Sequence, residues 1–209
     1  MTPEWNPPSC STVLASGEVH VWRARTEWRE AGSILLRLLA RYAGLAADEI
    51  RLARTPRGKP FLPGSPLRFN LSHTSGLSLF AFARETDVGV DVEAVRAHIE
   101  PLAIAERFFA PAEIKALRER EADARLELFY RLWVRKEAYV KGTGGGLTLG
   151  LSGFTVSPQV DIAAGLPVTG GGEWRVWDLS VGSDHAAALA VNARECRILG
   201  WEYGALQPA

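Results

Sequence analysis

The heptapeptide Asp87-Val88-Gly89-Val90-Asp91-Val92-Glu93 decides how this chain is read. Valine alternates with Asp, Gly, Asp and Glu, the period-two pattern of a strand with one apolar face and one face carrying carboxylates. Two strand-like stretches precede it, Leu67 to Leu71 and Ser78 to Arg84, with the turn His73-Thr74-Ser75-Gly76 between them. Further upstream, Val19 to Arg23 alternates as a strand. The spacing of Ile34, Leu35, Leu38 and Leu39 predicts a helix over about Arg29 to Tyr42, stopped by Gly44. Thr55 to Pro66, with Pro56, Gly58, Pro60, Pro63 and Gly64, reads as a loop.

Downstream the order repeats. Helical patterns cover about Ile99 to Phe109, Ala112 to Glu121 and Ala124 to Lys141, and the glycines of Gly142 to Gly146 end the last one. Strand-like stretches follow at Gly153 to Ser157, Trp174 to Leu179 and His185 to Asn192. Helices first and about three strands after, twice over, predict an α+β fold. We expect two similar α/β halves related by a pseudo-two-fold, each with a small, mainly antiparallel sheet, and a site where they meet. The expected divisions are a disordered or poorly ordered lead over 1–17, an N-terminal half over 18–97 and a C-terminal half over 98–209. Residues 158–172, rich in Gly, Pro and Ala, read as a variable loop.

The 209 residues carry 24 Lys plus Arg against 24 Asp plus Glu, a balance that argues against bulk binding to nucleic acid or a membrane surface. An anionic small molecule needs only a few placed cations. No apolar run is long enough to cross a bilayer, and the N-terminus lacks the features of a signal peptide, so a cytoplasmic location is expected. Cys10 and Cys196 lie far apart and read as reduced thiols.

Four stretches could carry chemistry. Asp91 and Glu93 project from one strand face, and carboxylates held side by side call for a cation or a proton between them, although a solvated strand end has the same spacing. In Trp133-Val134-Arg135-Lys136-Glu137-Ala138-Tyr139-Val140-Lys141, Glu137 and Lys141 share a helix face. They are either an ordinary surface pair or a third carboxylate with a lysine that neutralises an oxyanion. Phe69-Asn70-Leu71-Ser72-His73-Thr74 offers hydroxyl and imidazole donors suited to a phosphate. Adjacent Ser72 and His73 point apart, which makes a poor nucleophile–base couple. Arg54-Thr55-Pro56-Arg57-Gly58-Lys59-Pro60 places three cations on a proline-stiffened loop, able to clamp a phosphate.

Together, Gly58-Lys59-Pro60, Phe69 to His73, Gly89 to Glu93, Phe108-Phe109-Ala110-Pro111-Ala112-Glu113 and Trp133 to Lys141 resemble the 4′-phosphopantetheinyl transferase superfamily, in its larger, pseudo-dimeric, surfactin-synthetase-activating type. The resemblance spans about Ile34 to Leu149. It implies an enzyme that moves the 4′-phosphopantetheine group of coenzyme A onto a serine of an acyl or peptidyl carrier protein, with Mg2+, releasing 3′,5′-ADP. By the same resemblance Asp91, Glu93 and Glu137 hold the metal, Lys59, Ser72 and His73 contact the adenosine 3′-phosphate and neighbouring phosphates, and Lys141 binds the diphosphate, while the loop cations Arg54 and Arg57 are further candidates for holding the coenzyme. Lys141 balances charge on the leaving group, and either Glu137 or Glu113 is the base. A pseudo-dimeric chain implies a monomer. The chain departs from the pattern at Ala31-Gly32-Ser33, where relatives open the helix with a basic residue, and at Gly145, where they commonly carry lysine. Both departures thin the positive charge, which leaves a second reading, a coenzyme A- or carrier-binding homologue with weakened or lost transfer; the same carboxylates acting on another phosphate ester give a third, a magnesium-dependent phosphohydrolase.

Overall fold

Strand alternation sends successive side chains into different layers, and the computed structural model shows where those layers lie for residues 3–7, 13–159 and 165–204, the residues it describes. Cys10, residues 1–2 and 8–12 of the lead, and residues 160–164 of the 158–172 stretch lie outside them.

The elements run β1 (Trp5–Asn6), β2 (Glu18–Ala24), α1 (Trp28–Ala43), β3 (Ala53–Arg54), β4 (Pro60–Phe61), β5 (Leu67–Thr74), β6 (Leu77–Arg84) and β7 (Val88–Ala94). After these come α2 (Pro101–Phe108), α3 (Pro111–Arg118), α4 (Ala122–Thr143), β8 (Thr155–Val156), β9 (Leu166–Thr169), β10 (Trp174–Asp178), β11 (His185–Asn192) and β12 (Arg197–Glu202). One sheet has the order β1-β12-β2-β6-β5, the other β7-β11-β10-β9-β8, and β3 pairs with β4 in a small hairpin.

The class is α+β, as the alternation of helices and strands implied. The second sheet is antiparallel throughout. The first is mixed, because β12 runs parallel to both β1 and β2. The sheets do not divide at residue 97: β7, before it, pairs with β11 in the second sheet, and β12, from the end of the chain, lies between β1 and β2 in the first. Five strands escape the sequence reading. β1 falls in the lead expected to lack order, β3 lies just before and β4 inside the Thr55 to Pro66 stretch read as a loop, β9 falls in the 158–172 stretch read as a loop, and β12 follows the last stretch read as a strand. β1, β3 and β4 have two residues each and β9 contains Pro167, too little for a sustained alternation.

Trp22, Phe80 and Phe82 face α1, whose Leu38 and Leu39 are fully buried against them. The alternate residues Val19, Val21, Leu79 and Ala81 meet Val88, Val90, Val92, Leu189 and Val191, so the inner faces of the two sheets share one core. The other face of the second sheet, with Val176, Ala188 and Ala190, packs against α4 and its neighbours.

Two glycines set how closely α4 approaches β7. A Cβ at Gly89 would lie 2.0 Å from the Ala138 carbonyl oxygen and 2.3 Å from the Gly142 nitrogen. One at Gly142 would lie 2.5 Å from the Trp174 ring. Only bare backbone fits there. The helix bearing Glu137 and Lys141 is thereby laid directly on the face of β7 that carries Asp91 and Glu93.

Candidate functional site

β5 and β7 are edge strands of different sheets, and polar side chains join them where a backbone ladder is missing. Asn70 Oδ1 accepts from the Val90 amide at 2.9 Å, Ser72 Oγ from the Val92 amide at 3.3 Å, and Thr74 Oγ1 from the Ala94 amide at 3.2 Å. Every second residue of β5 thus satisfies every second amide of β7, the accounting that a buried strand edge demands. The Phe69-to-Thr74 motif is therefore first a seam. Ser72 also donates to Asp91 Oδ1 at 2.9 Å, which couples the seam to the site.

Asp91 is the centre of that site. It is buried, its Oδ1 lies 2.5 Å from Lys141 Nζ, and Lys141 donates to Ser72 Oγ at 2.8 Å. Asp91 Oδ2 is buried without a hydrogen-bond partner. Burial pushes the Glu137 carboxyl up from its ordinary value; the charge of Asp91 adds to the rise, Lys141 opposes it, and Glu93 adds further. Glu93 is raised in the same way, by burial first and by Asp91 next, with Lys141, Arg96 and a hydrogen bond from Trp133 opposing. The three carboxylates and Lys141 are therefore electrostatically one group. Among the described residues, no three His, Cys, Asp or Glu side chains are placed as they stand to hold a metal ion together.

A cleft of about 290 Å³ opens beside this group, lined by Glu137, Val140, Lys141 and Gly144 from α4 and its end, by Asn70 and Leu71 from β5, and by Arg57, Gly58, Lys59 and Pro60. A second cavity of about 330 Å³ shares Arg57, Lys59 and Gly144 with it and adds Thr55, Pro56, Asp87 and Thr143. Lys59 stands between the two. Its ammonium donates to the Gly142 carbonyl and lies 3.8 Å from Asp87 Oδ1; burial lowers its pKa, and Asp87 offsets part of that fall. On the far side of Glu93 lies a groove of about 190 Å³, lined by Arg96, Ile99, Ile104, Phe129, Tyr130 and Trp133.

Asp91, Glu93, Glu137, Lys141, Ser72, Lys59 and Arg57 are thus brought together. Arg54, His73 and Glu113 are not. Arg54 is exposed and donates to the Gly58 carbonyl at 2.8 Å, shaping the loop from outside. The structure extends β5 through Thr74, where the sequence reading ended the strand at Leu71, so alternation turns His73 to the exposed face opposite Ser72. Glu113 is fully buried: one oxygen accepts from the Ala110 amide at 2.9 Å and lies 2.8 Å from Lys136 Nζ, and the other accepts from the Val156 amide at 2.8 Å. Nothing in that arrangement is open to a substrate.

The sequence reading missed the seam roles of Asn70 and Thr74, the carboxylate of Asp87 beside Lys59, and the anchoring role of Arg135. Arg135 is fully buried and grips Asp178 through two nitrogens at 2.7 and 2.6 Å, with the Ser157 and Gln159 carbonyls. The polar alternation 70, 72, 74 beside the strand 88–94 was the available signal for the seam.

The family model of the 4′-phosphopantetheinyl transferase superfamily matches residues 87–190, which include β7 and α4. The 4′-phosphopantetheinyl transferase HetI of Nostoc sp. is 30% identical over 179 residues, covering 68% of this chain and 76% of that protein. The 4′-phosphopantetheinyl transferase Sfp of Bacillus subtilis is 35% identical over 132 residues, covering 62% of this chain, and a Synechocystis sp. relative is 34% identical over 146 residues, covering 68% of this chain. The matched stretch spans 58% of the length of each of these last two.

Proposed function

Because the chain belongs to the 4′-phosphopantetheinyl transferase superfamily, we propose that it transfers the 4′-phosphopantetheine group of coenzyme A to a serine hydroxyl of an acyl or peptidyl carrier protein. The observation that carries this reading is the meeting of Asp91 and Glu93 with Glu137 and Lys141 beside a cleft walled by Arg57 and Lys59.

The donor set fits a hard divalent cation such as Mg2+. All three candidate ligands are carboxylates, Glu93 and Glu137 are raised in part by neighbouring negative charge, and Asp91 keeps one buried oxygen without a partner. Asp91, Glu93 and Glu137 would hold it. Bound there, it would supply positive charge against the coenzyme diphosphate and stabilise the charge that gathers during transfer. Lys59 and Arg57 line the cleft and bind its anionic substrate. Lys141 neutralises the developing charge of the leaving 3′,5′-ADP; one such contact is typically worth about 3 kcal/mol.

In the transfer the serine oxygen bonds to the phosphorus beside pantetheine, the bond from that phosphorus to the ADP oxygen breaks, and the serine proton goes to a base. Glu137 suits that task, since it lines the cleft where the substrate serine would enter. Glu113 is shut inside the fold with both oxygens engaged.

The test is intact mass spectrometry of an apo carrier protein incubated with the purified chain, coenzyme A and Mg2+. A gain of one phosphopantetheine, lost with Glu137→Gln or on chelation, is expected. No gain on fatty-acid or peptide-synthetase carriers, with coenzyme A still bound, would leave a binding protein; release of phosphate without a carrier would indicate a hydrolase.

A further inference from the structure

Ser72 stands where β5, β7 and α4 meet, and every hydrogen-bonding capacity of its hydroxyl is taken. A serine hydroxyl has one proton to give and two lone pairs to accept with. The Val92 amide and the Lys141 ammonium can only donate, and they fill the lone pairs at 3.3 and 2.8 Å. The proton goes to Asp91 Oδ1 at 2.9 Å. Lys141 Nζ also reaches that oxygen, at 2.5 Å, so the three side chains close a ring. Ser72 and Asp91 are both buried. Of the residues of β5, Asn70 and Leu71 line the cleft and Ser72 lines neither it nor the two cavities beside it.

An ionised phosphate oxygen accepts and does not donate, so it could bond to Ser72 only by taking the proton that Asp91 holds. The phosphate contact that the resemblance implies for Ser72 has no proton left to make it. The ring has a different effect. It delivers two donors to Asp91 Oδ1 and none to Oδ2, which is buried without a hydrogen-bond partner. The carboxylate is thereby held with one oxygen occupied and the other open. The same hydroxyl ties Lys141, which lines the cleft, to β5.

We propose that Ser72 is a positioning residue for the metal site: it fixes the Asp91 carboxylate so that Oδ2 is the oxygen offered to a divalent cation, and it makes no contact with the coenzyme. The proposal rests on the transferase reading for the choice of ligands but is decided by binding alone. Two other roles predict different outcomes. A phosphate contact predicts that losing the hydroxyl weakens coenzyme binding without metal and leaves Mg2+ affinity alone. A seam residue that only serves the Val92 amide predicts lower stability with both affinities unchanged.

The experiment measures, by calorimetry, the Kd of Mg2+ and, in EDTA, the Kd of coenzyme A on wild type, Ser72→Ala, Ser72→Thr and Thr74→Val, each below its melting transition. Ser72→Ala should weaken Mg2+ binding about tenfold, as removal of a partner that orients a ligating carboxylate typically does, and leave metal-free coenzyme binding within about twofold. Ser72→Thr keeps the hydroxyl and should stay within about threefold of wild type for Mg2+, and Thr74→Val, which removes only the seam acceptor of Ala94, should match wild type. Mg2+ affinity unchanged in Ser72→Ala, or weakened equally in Thr74→Val, overturns the proposal. So does a tenfold loss of metal-free coenzyme binding in Ser72→Ala, or a wild type that binds no Mg2+. Should Ser72→Ala not fold, Ser72→Cys, near serine in size but a weak donor, is read by the same two constants. Carrier modification is scored separately by intact mass: its absence in wild type would sink the transferase reading, and the two Kd values still decide the role of Ser72.

Discussion

Lys141 Nζ sits 2.5 Å from Asp91 Oδ1, so the carboxylate proposed to bind metal is already paired with a cation of the same helix that supplies Glu137. The pair offsets one of the three carboxylate charges, and a metal arriving at the unpartnered Asp91 Oδ2 is opposed by the neighbouring ammonium, which also lines the cleft. Lys141→Met should therefore have two opposed effects. Competition for Asp91 disappears, so metal affinity should rise severalfold by calorimetry. The charge that balances the leaving group is lost as well, so kcat should fall on the order of a hundredfold. A fall in both quantities would show that Lys141 helps to build the metal site.

The raised pKa values of Glu93 and Glu137 make stability depend on pH in a stated direction. A carboxyl raised in the folded state binds more protons there than in the unfolded chain, so its stabilisation is full below the ordinary carboxylate value and is lost as pH rises through the raised one. Without metal, stability should fall over that window on account of these two groups. A cation that binds the ionised carboxylates should restore it, and protons should compete with the cation. The rise in Tm on adding Mg2+, measured by calorimetric scanning, should be larger at pH 8 than at pH 5. An equal rise at both values would place the bound ion elsewhere.

The chemistry-bearing part of this architecture was legible because strand and helix periodicity is local. Val88, Val90 and Val92 alternate with Gly89 and Asp91, and that settles the face on which Asp91 and Glu93 stand. The four-residue interval from Glu137 to Lys141 settles theirs. What the sequence could not show is pairing at a distance. β12 reaches its place between β1 and β2 by long-range contacts, with Trp201 stacked on Trp22 at 5.8 Å between ring centroids. Nor does composition separate a surface glutamate from Glu113, whose burial depends on Lys136 arriving from another helix.

That buried pair separates the two candidate bases. Glu113 and Lys136 are both fully buried, 2.8 Å apart, and Lys136 also donates to the Leu151 and Phe154 carbonyls at 2.8 Å. Burial lowers the Lys136 pKa and Glu113 opposes the fall, so losing the carboxylate charge leaves a cation in the core without its counter-ion. Glu113→Gln should cost about 3–5 kcal/mol in urea unfolding, and below its melting transition it should keep kcat within a few-fold of wild type. Glu137→Gln should do the reverse, with little loss of stability and turnover reduced by two orders of magnitude or more. Turnover abolished in folded Glu113→Gln would return the base assignment to Glu113.

The side-chain seam between β5 and β7 predicts a graded series. Asn70 Oδ1 is the acceptor for a fully buried amide, that of Val90, whereas Thr74 Oγ1 serves the part-buried amide of Ala94, which water can reach more easily. An orphaned buried donor costs about 1–3 kcal/mol, and a donor that finds water costs less. Asn70→Ala should therefore destabilise the protein by about 2 kcal/mol or more, and Thr74→Val by under about 1 kcal/mol, by urea unfolding. The two positions also bracket Ser72, whose hydroxyl joins the seam to Asp91. Since Val90 is one residue from Asp91 on the strand that Asn70 holds, Asn70→Ala should raise the Mg2+ concentration needed for half-maximal transfer, while Thr74→Val leaves it unchanged. If Thr74→Val proved as costly as Asn70→Ala in both measurements, the seam would be acting as one rigid unit, and burial of the individual amides would not set its energetics.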